Sequence, residues 1–210
     1  LADARAIVIG GHHASVFDPH TGRWVSRIAL RHSRQAHASV VLDEDRILVV
    51  GGTSRASIEL IELHRAQSRL LAARLPDALD DLAVVALDGG RALILGGQTG
   101  RRGNTTQKTW VVEFGSVERE RLLPGPSLGV KGGIADHCVV VQGRRAFVVG
   151  GESQQNGRDH ELAEARVVDL HRLTVSRLPA TRQPHDDAVA VSDGHETHRV
   201  RRLCKESPSA

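Results

Sequence analysis

A run of β-branched and aliphatic residues closed by two glycines occurs four times in this chain. The copies are RAIVIGG, RILVVGG, RALILGG and RAFVVGG, and their first glycines stand at positions 10, 51, 96 and 150. The spacings of 41, 45 and 54 residues are typical of repeats in which each unit forms one small β-sheet. The sequence therefore predicts a repeat protein whose function resides in its loops.

The glycine pairs are predicted to be structural. Glycine allows a positive φ and a close approach of neighbouring backbone where a strand turns out of its sheet. The predicted structural glycines are Gly10, Gly11, Gly51, Gly52, Gly96, Gly97, Gly150 and Gly151.

Each repeat is predicted to contain four strands, a to d, with the glycine pair at the end of strand b. Apolar segments at 37–42, 82–87 and 137–141 supply strand a and are joined to strand b by short turn-forming sequences. Strand c ends in an acidic residue, at Asp18, Glu62, Glu113 and Asp169, which is expected to accept backbone N–H groups in the turn that follows. Strand d is predicted at 23–28, 68–73, 117–122 and 174–178. This density of short strands, without helical periodicity, indicates an all-β array.

The pattern resembles the kelch repeat, the four-stranded blade of kelch β-propellers, which include bacterial kelch and galactose-oxidase-like proteins. In the first repeat, Phe17 and Trp24 follow the glycines at the spacing of the two aromatic positions of the family, which implies a structural role for Trp24. Later repeats have aliphatic residues at the first aromatic position, namely Ile61, Val112 and Val168. The resemblance covers residues 5–192 and implies an all-β, kelch-type β-propeller of about four four-stranded blades.

The sequence leaves two arrangements of the blades open. The chain begins on a strand b without a strand a, whereas 186–194 provides a strand a and its turn without a strand b. In a complete small ring, this last strand would complete the first blade. In the alternative, the chain is part of a larger ring. Residues 1–194 are predicted to form the propeller repeats, and 195–210 a basic, disordered C-terminal tail.

The b–c and d–a loops of such a meander lie on the same face, which we call the long-loop face. The distance from the second glycine to the acidic end of strand c grows along the chain as 7, 10, 16 and 18 residues. Insertions on one face are typical of the binding surface of a repeat protein. Its polar and cationic loops predict binding of an acidic peptide, an anionic glycan or another carboxylate ligand. The predicted binding residues are Arg34, Arg55, Arg101, Arg102, Asn104, Lys131, Arg158 and His185.

Composition argues against several other functions. The net charge is only +3, the cations are scattered and the chain has five aromatic residues, so we expect no nucleic-acid partner. We expect no membrane span, because no segment approaches about 20 consecutive apolar residues. Two cysteines outside any CxxC pair predict neither a zinc site nor a disulfide framework, and no metal or cofactor is predicted.

Two functions stay open at this point. The favoured one is a noncatalytic interaction module that binds a protein, peptide or glycan through the long-loop face, since no GxSxG, HExxH or P-loop motif is present. The alternative is a kelch-type carbohydrate-active enzyme, similar to a mutarotase or epimerase or to a degenerate galactose-oxidase domain. The resemblance implies tyrosine ligands for a galactose-oxidase copper site, and this chain has no Tyr. An enzyme requires convergent acid–base groups at the axial mouth, whereas a binding module needs only a complementary surface, and no catalytic residue is assigned.

Overall fold

The computed structural model describes residues 4–52, 55–100, 103–115, 120–155, 158–191 and 199–201. Every regular element within these ranges is a β-strand, which confirms the predicted all-β class. None of the described segments forms a helix that could cross a membrane.

The described strands form three four-stranded antiparallel meanders flanked by two hairpins. The first hairpin contains β1 (Ala6–Asp18) and β2 (Arg23–Arg34). Blade 1, which is formed by the second repeat, contains β3 (Ala38–Val41), β4 (Arg46–Val50), β5 (Ser57–Glu62) and β6 (Gln67–Arg74). The short β7 (Leu79–Asp80) leads to blade 2, which contains β8 (Ala83–Leu87), β9 (Arg91–Leu95), β11 (Thr109–Glu113) and β12 (Arg121–Pro124), with β10 (Gln98–Thr99) in its b–c loop.

Blade 3 carries an additional hairpin on its b–c loop. Its sheet contains β13 (Cys138–Gln142), β14 (Arg145–Val149), β17 (Ala165–Asp169) and β18 (Thr174–Leu178), and the loop hairpin contains β15 (Glu152–Gln155) and β16 (Arg158–Glu161). The last hairpin contains β19 (Val189–Val191) and β20 (Arg199–Arg201). Strands a to d of the three later repeats therefore lie close to their predicted positions.

Strand b of each blade is apolar on both faces because it lies between two neighbouring sheets. In β4, Leu48 and Val50 pack into the core between blades 1 and 2, whereas Ile47 and Val49 pack against the first hairpin. Strand β9 alternates in the same way between blades 1 and 3. Successive side chains of a strand point to opposite faces, so a continuous apolar run fills two cores at once.

The first repeat departs from the prediction. Gly10 and Gly11 lie inside β1, which continues to Asp18, so the predicted end of strand b at this pair is wrong. A Cβ added at either glycine would have no neighbouring atom within 4 Å, because no adjacent loop packs against this part of the hairpin. The Trp24 side chain is 60% exposed, and its ring contacts Phe17 edge to face at 5.3 Å.

The strand pairing that would close a four-bladed ring is not formed among the described residues. Strand β19 pairs with β20, and β1 pairs with β2. Strand β20 falls within the segment predicted to be a disordered tail, and the rest of 195–210 lies outside the described residues. Among the described residues, the repeats thus form three four-stranded blades and two terminal hairpins.

The acidic residues at the end of strand c have two kinds of partner. Asp18 accepts a hydrogen bond from the His20 N–H at 2.8 Å, and Asp169 accepts one from the Arg172 N–H at 2.8 Å, as predicted. Glu62 and Glu113 form ion pairs with Arg65 and Arg121, respectively.

Candidate functional site

The glycine turns join the loops of the long-loop face. The second glycine of each later pair donates its N–H to a carbonyl of the next d–a loop: Gly52 to Leu79, Gly97 to Ile134 and Gly151 to His185, at 2.9, 2.8 and 2.5 Å. At Gly52 φ is +81°, and an added Cβ would lie 2.5 Å from the Gln35 oxygen and 2.7 Å from the His37 Cβ. Only glycine leaves room for this contact between neighbouring loops.

One position, two residues before strand a, recurs in every d–a loop. It is occupied by Ala36, Asp81, Asp136 and Asp187, which all have positive φ, between 46° and 55°. The Asp81 N–H donates to the Ala36 oxygen at 3.0 Å, and the Asp136 N–H donates to the Asp81 oxygen at 3.1 Å. Strands a of neighbouring blades also contact each other. The recurring positions therefore converge where the inner strands begin.

These residues surround a depression of about 260 Å³, which we call the axial mouth. It is lined by Ala36, His37, Asp81, Leu82, Asp136, His137, Asp187 and Ala188. Three of the four recurring positions thus contribute a carboxyl group. The long-loop face has an acidic centre, in contrast to the cationic surface that the loop composition predicts.

The fold opposes ionisation of Asp81 and Asp136 in the axial mouth and of the neighbouring Glu152. Burial, and then the charges of Asp81, Asp187 and Glu152, raise the pKa of Asp136 to about 7. Burial is also the main cause that raises the pKa of Asp81 and of Glu152. The Gln98 amide donates to Asp81 Oδ2 at 2.7 Å, which partly offsets that effect. The mouth therefore contains a carboxyl group that exchanges a proton near neutral pH.

Two histidines of the axial mouth have ring nitrogens without partners. The His137 side chain is buried, and neither Nδ1 nor Nε2 has a hydrogen-bond partner among the described residues. Burial lowers the pKa of His137 to about 4, so the ring is neutral at pH 7 and has one donor and one acceptor. The Nδ1 atom of His37 is also buried without a partner. Unpaired buried polar atoms are uncommon and are candidates for contact with a ligand.

Asp136 and His137 both line the axial mouth, although they are consecutive in the chain. Strand alternation does not apply to this pair, since Asp136 precedes β13 and has a φ of 49°. Within the described residues, no three His, Cys, Asp or Glu side chains are arranged to hold a metal ion.

The binding role predicted for Arg34 is contradicted by its burial. Its side chain is fully buried, and its guanidinium lies 3.1 Å from Glu59 Oε2 and donates to the carbonyl oxygens of Gly51 and Ser57. Strand β2 continues past its predicted end at Ile28, so Arg34 enters the interface between the first hairpin and blade 1. Its role is to hold that interface together.

The other predicted binding residues lie outside the axial mouth or outside the described residues. Arg55, Asn104, Lys131 and Arg158 are exposed, and His185 is half-buried. None of these lines the axial mouth. The remaining two, Arg101 and Arg102, fall in a part of the chain that the structure does not describe.

The acidic positions of the mouth were missed because the loops were compared by composition. Their signal was the position in the repeat: Asp81, Asp136 and Asp187 each stand two residues before strand a. Aligning the repeats on that strand places the three carboxyl groups in one column.

Successive four-stranded meanders joined around inner strands define a kelch-type β-propeller fold, as the sequence predicts. The chain is similar to the solved structure described as "Structure of YjhT", a kelch-repeat β-propeller protein, with a TM-score of 0.69 and 13% identity. The match covers 88% of this chain and 65% of that one, so the chain spans less than two thirds of that protein. No protein-family model and no curated protein matches the sequence.

Proposed function

We propose that this chain is a noncatalytic propeller module that binds a protein, peptide or glycan through its long-loop face, with the axial mouth at the centre. The observation that carries this proposal is the convergence of Asp81, Asp136 and Asp187 from separate d–a loops. A backbone hydrogen bond joins the loops of Asp81 and Asp136, and the loop of Asp187 is bonded through His185 to Gly151. Polar groups on loops that are fixed by a rigid scaffold are typical of binding sites.

The distribution of charge favours a protein or peptide as the ligand. The mouth is acidic, whereas exposed cations such as Arg55, Lys131 and Arg158 lie on the surrounding loops. A partner with both signs of charge satisfies both regions. A purely anionic glycan would be attracted by the loops but repelled by the mouth.

The first experiment is a binding screen of the 210-residue chain against peptide and glycan arrays. The test variant is Asp81→Asn/Asp136→Asn, and the matched control is Glu44→Gln/Asp88→Asn, which removes two charges from the a–b turns on the opposite face. We expect the binding found with the parent to be lost in the test variant and kept in the control. Binding that survives the test variant, or that only the control loses, would overturn the proposal.

One observation favours an enzyme as the second candidate. A carboxyl group with a pKa of about 7, beside other carboxylates and the neutral ring of His137, is suited to proton transfer at neutral pH. This is the convergence that a carbohydrate mutarotase or epimerase requires. Exchange between sugar anomers, measured by NMR saturation transfer with a panel of aldoses, tests the idea. Acceleration that Asp136→Asn abolishes would support it, and the lack of any acceleration would exclude it for that panel.

A further inference from the structure

We infer that the axial mouth binds a cationic nitrogen group, the guanidinium or ammonium of an arginine or lysine side chain in a peptide partner. This inference rests on the proposed binding function and specifies the chemistry of its ligand. Three observations carry it: the carboxyl groups contributed by separate d–a loops, the buried imidazole nitrogens without partners, and the lack of a metal-ligand arrangement among the described residues.

The carboxyl groups supply the charge that such a ligand requires. Asp81, Asp136 and Asp187 come from three different d–a loops and line one depression. Glu152 in β15 and Asp186 beside the mouth add further acidic charge that acts on Asp136. A ligand cation would remove the repulsion between these groups, so the binding energy includes the relief of that repulsion.

The unpaired nitrogen atoms of His137 specify hydrogen bonding in addition to charge. His137 and His37 line the mouth, and their ring nitrogens without partners are buried. A neutral imidazole has a lone pair that can accept an N–H. Leaving buried polar atoms unpaired costs free energy, which a ligand with several donors would recover. Guanidinium has five N–H donors and ammonium has three.

The spacing of the groups argues for a polyatomic cation over a metal ion. A metal requires three or more ligands around one point, and the described His, Cys, Asp and Glu residues form no such group. A guanidinium reaches separate acceptors because its donors form a planar fork. The depression of about 260 Å³ has room for one side-chain head, which a peptide partner can project into it.

Binding is expected to weaken as the pH falls below about 7, because the cation and the proton compete for the Asp136 carboxylate. The groups facing this carboxylate are the acidic Asp81, Asp187, Asp186 and Glu152 and the neutral His137 of the mouth. Only the ionised fraction of Asp136 binds the cation well, so the apparent affinity at pH 5.5 should be on the order of tenfold below that at pH 7.5.

The test is an NMR titration of the ¹⁵N-labelled chain with three peptides, acetyl-Gly-Gly-X-Gly-Gly-amide with X as arginine, citrulline or glutamate. Citrulline is the uncharged counterpart of arginine, and methylguanidinium ion serves as the free small-molecule arm. We expect the arginine peptide to shift the amide signals of residues 81, 136 and 137, and citrulline and glutamate to leave them unchanged. Asp136→Asn should weaken this binding by on the order of tenfold, and Asp88→Asn on the opposite face should not.

The outcomes separate this inference from the proposed function. Equal shifts with arginine and citrulline, or no shift with arginine at millimolar concentration, would overturn the cation site. Shifts of the same amides by the glutamate peptide would leave the long-loop face as a binding surface and reject its cationic ligand. Binding of methylguanidinium as tightly as the arginine peptide would show that a small cation, and not a peptide, is the ligand.

Discussion

Asp136 is a residue whose ionisation the folded state opposes, and this makes stability depend on pH. Its pKa rises from 3.8 to about 7 on folding, so the stability it contributes is present below pH 4 and is lost as the pH rises through 7. Asp136→Asn removes this loss. We expect the variant to match the parent near pH 4 and to exceed it by about 1–2 kcal/mol at pH 8, after allowance for solvent screening. Urea unfolding of both proteins across this range measures the difference.

The neighbouring His137 also makes the stability of the chain depend on pH. The effect of Asp136 is therefore read from the difference between the parent and Asp136→Asn. Burial lowers the pKa of His137 to about 4, so the stability it contributes is present above pH 6.5 and is lost as the pH falls through 4. This slope opposes that of Asp136 and partly hides it in the parent. Both proteins contain His137, so subtraction removes its effect. A difference that stays constant with pH would contradict the raised pKa of Asp136.

Arg34 is expected to be important for stability and not for binding. Arg34→Ala would leave Glu59 buried without its ion-pair partner, and breaking such a pair from one side costs about 3–5 kcal/mol. Arg55→Ala is the matched control, since its exposed side chain should change stability by less than about 0.5 kcal/mol. Denaturant unfolding measures both changes. Equal losses for the two variants would show that burial of Arg34 does not determine its role.

At the scale of strands and turns, identical Gly-Gly sequences have different structural requirements. Gly52→Ala should destabilise the chain by about 2–4 kcal/mol, because φ is +81° and the new Cβ would meet the Gln35 oxygen at 2.5 Å. Gly10→Ala is the control: its φ is not positive, it has no neighbour within 4 Å, and it should be neutral or stabilise by up to about 1 kcal/mol. Thermal unfolding compares them, and a similar loss at both positions would contradict the assignment.

The strands could be predicted from the sequence because each carries its own local signal. Strand β9, for example, is a short aliphatic run between a glycine turn and a glycine pair, and its bounds follow from those residues. The ends of β1 and β2 could not be predicted this way. Whether Gly11 ends a strand depends on a loop from a neighbouring blade, which only the three-dimensional structure supplies.

The candidate site was less predictable, for the same physical reason. Charge type in a loop does not say whether a side chain reaches solvent, so Arg34 and Arg55 look alike in sequence and differ fully in burial. The acidic mouth arises when d–a loops distant in sequence meet. Asp81 and Asp136 are 55 residues apart and share a backbone hydrogen bond.

For the whole molecule, the linear order of the sheets implies a gradient of stability along the chain. Each sheet packs only on its neighbours, so a sheet with a core on both sides is stabilised twice, and a terminal hairpin once. Blade 2 lies between two extensive cores. The first hairpin has one covered face, and its Val8, Trp24 and Val25 are 58%, 60% and 49% exposed.

Hydrogen exchange is expected to show this gradient directly. Backbone amides of β9 and β11 should exchange on the order of a hundredfold more slowly than those of β1 and β19, because local opening of a terminal hairpin exposes only one core. Exchange at two protein concentrations, tenfold apart, is the control for self-association. Slow exchange of the terminal hairpins only at the higher concentration would mean that copies of the chain cover each other's open faces. Equal protection in all strands at both concentrations would contradict the gradient and show that the array unfolds as one cooperative unit.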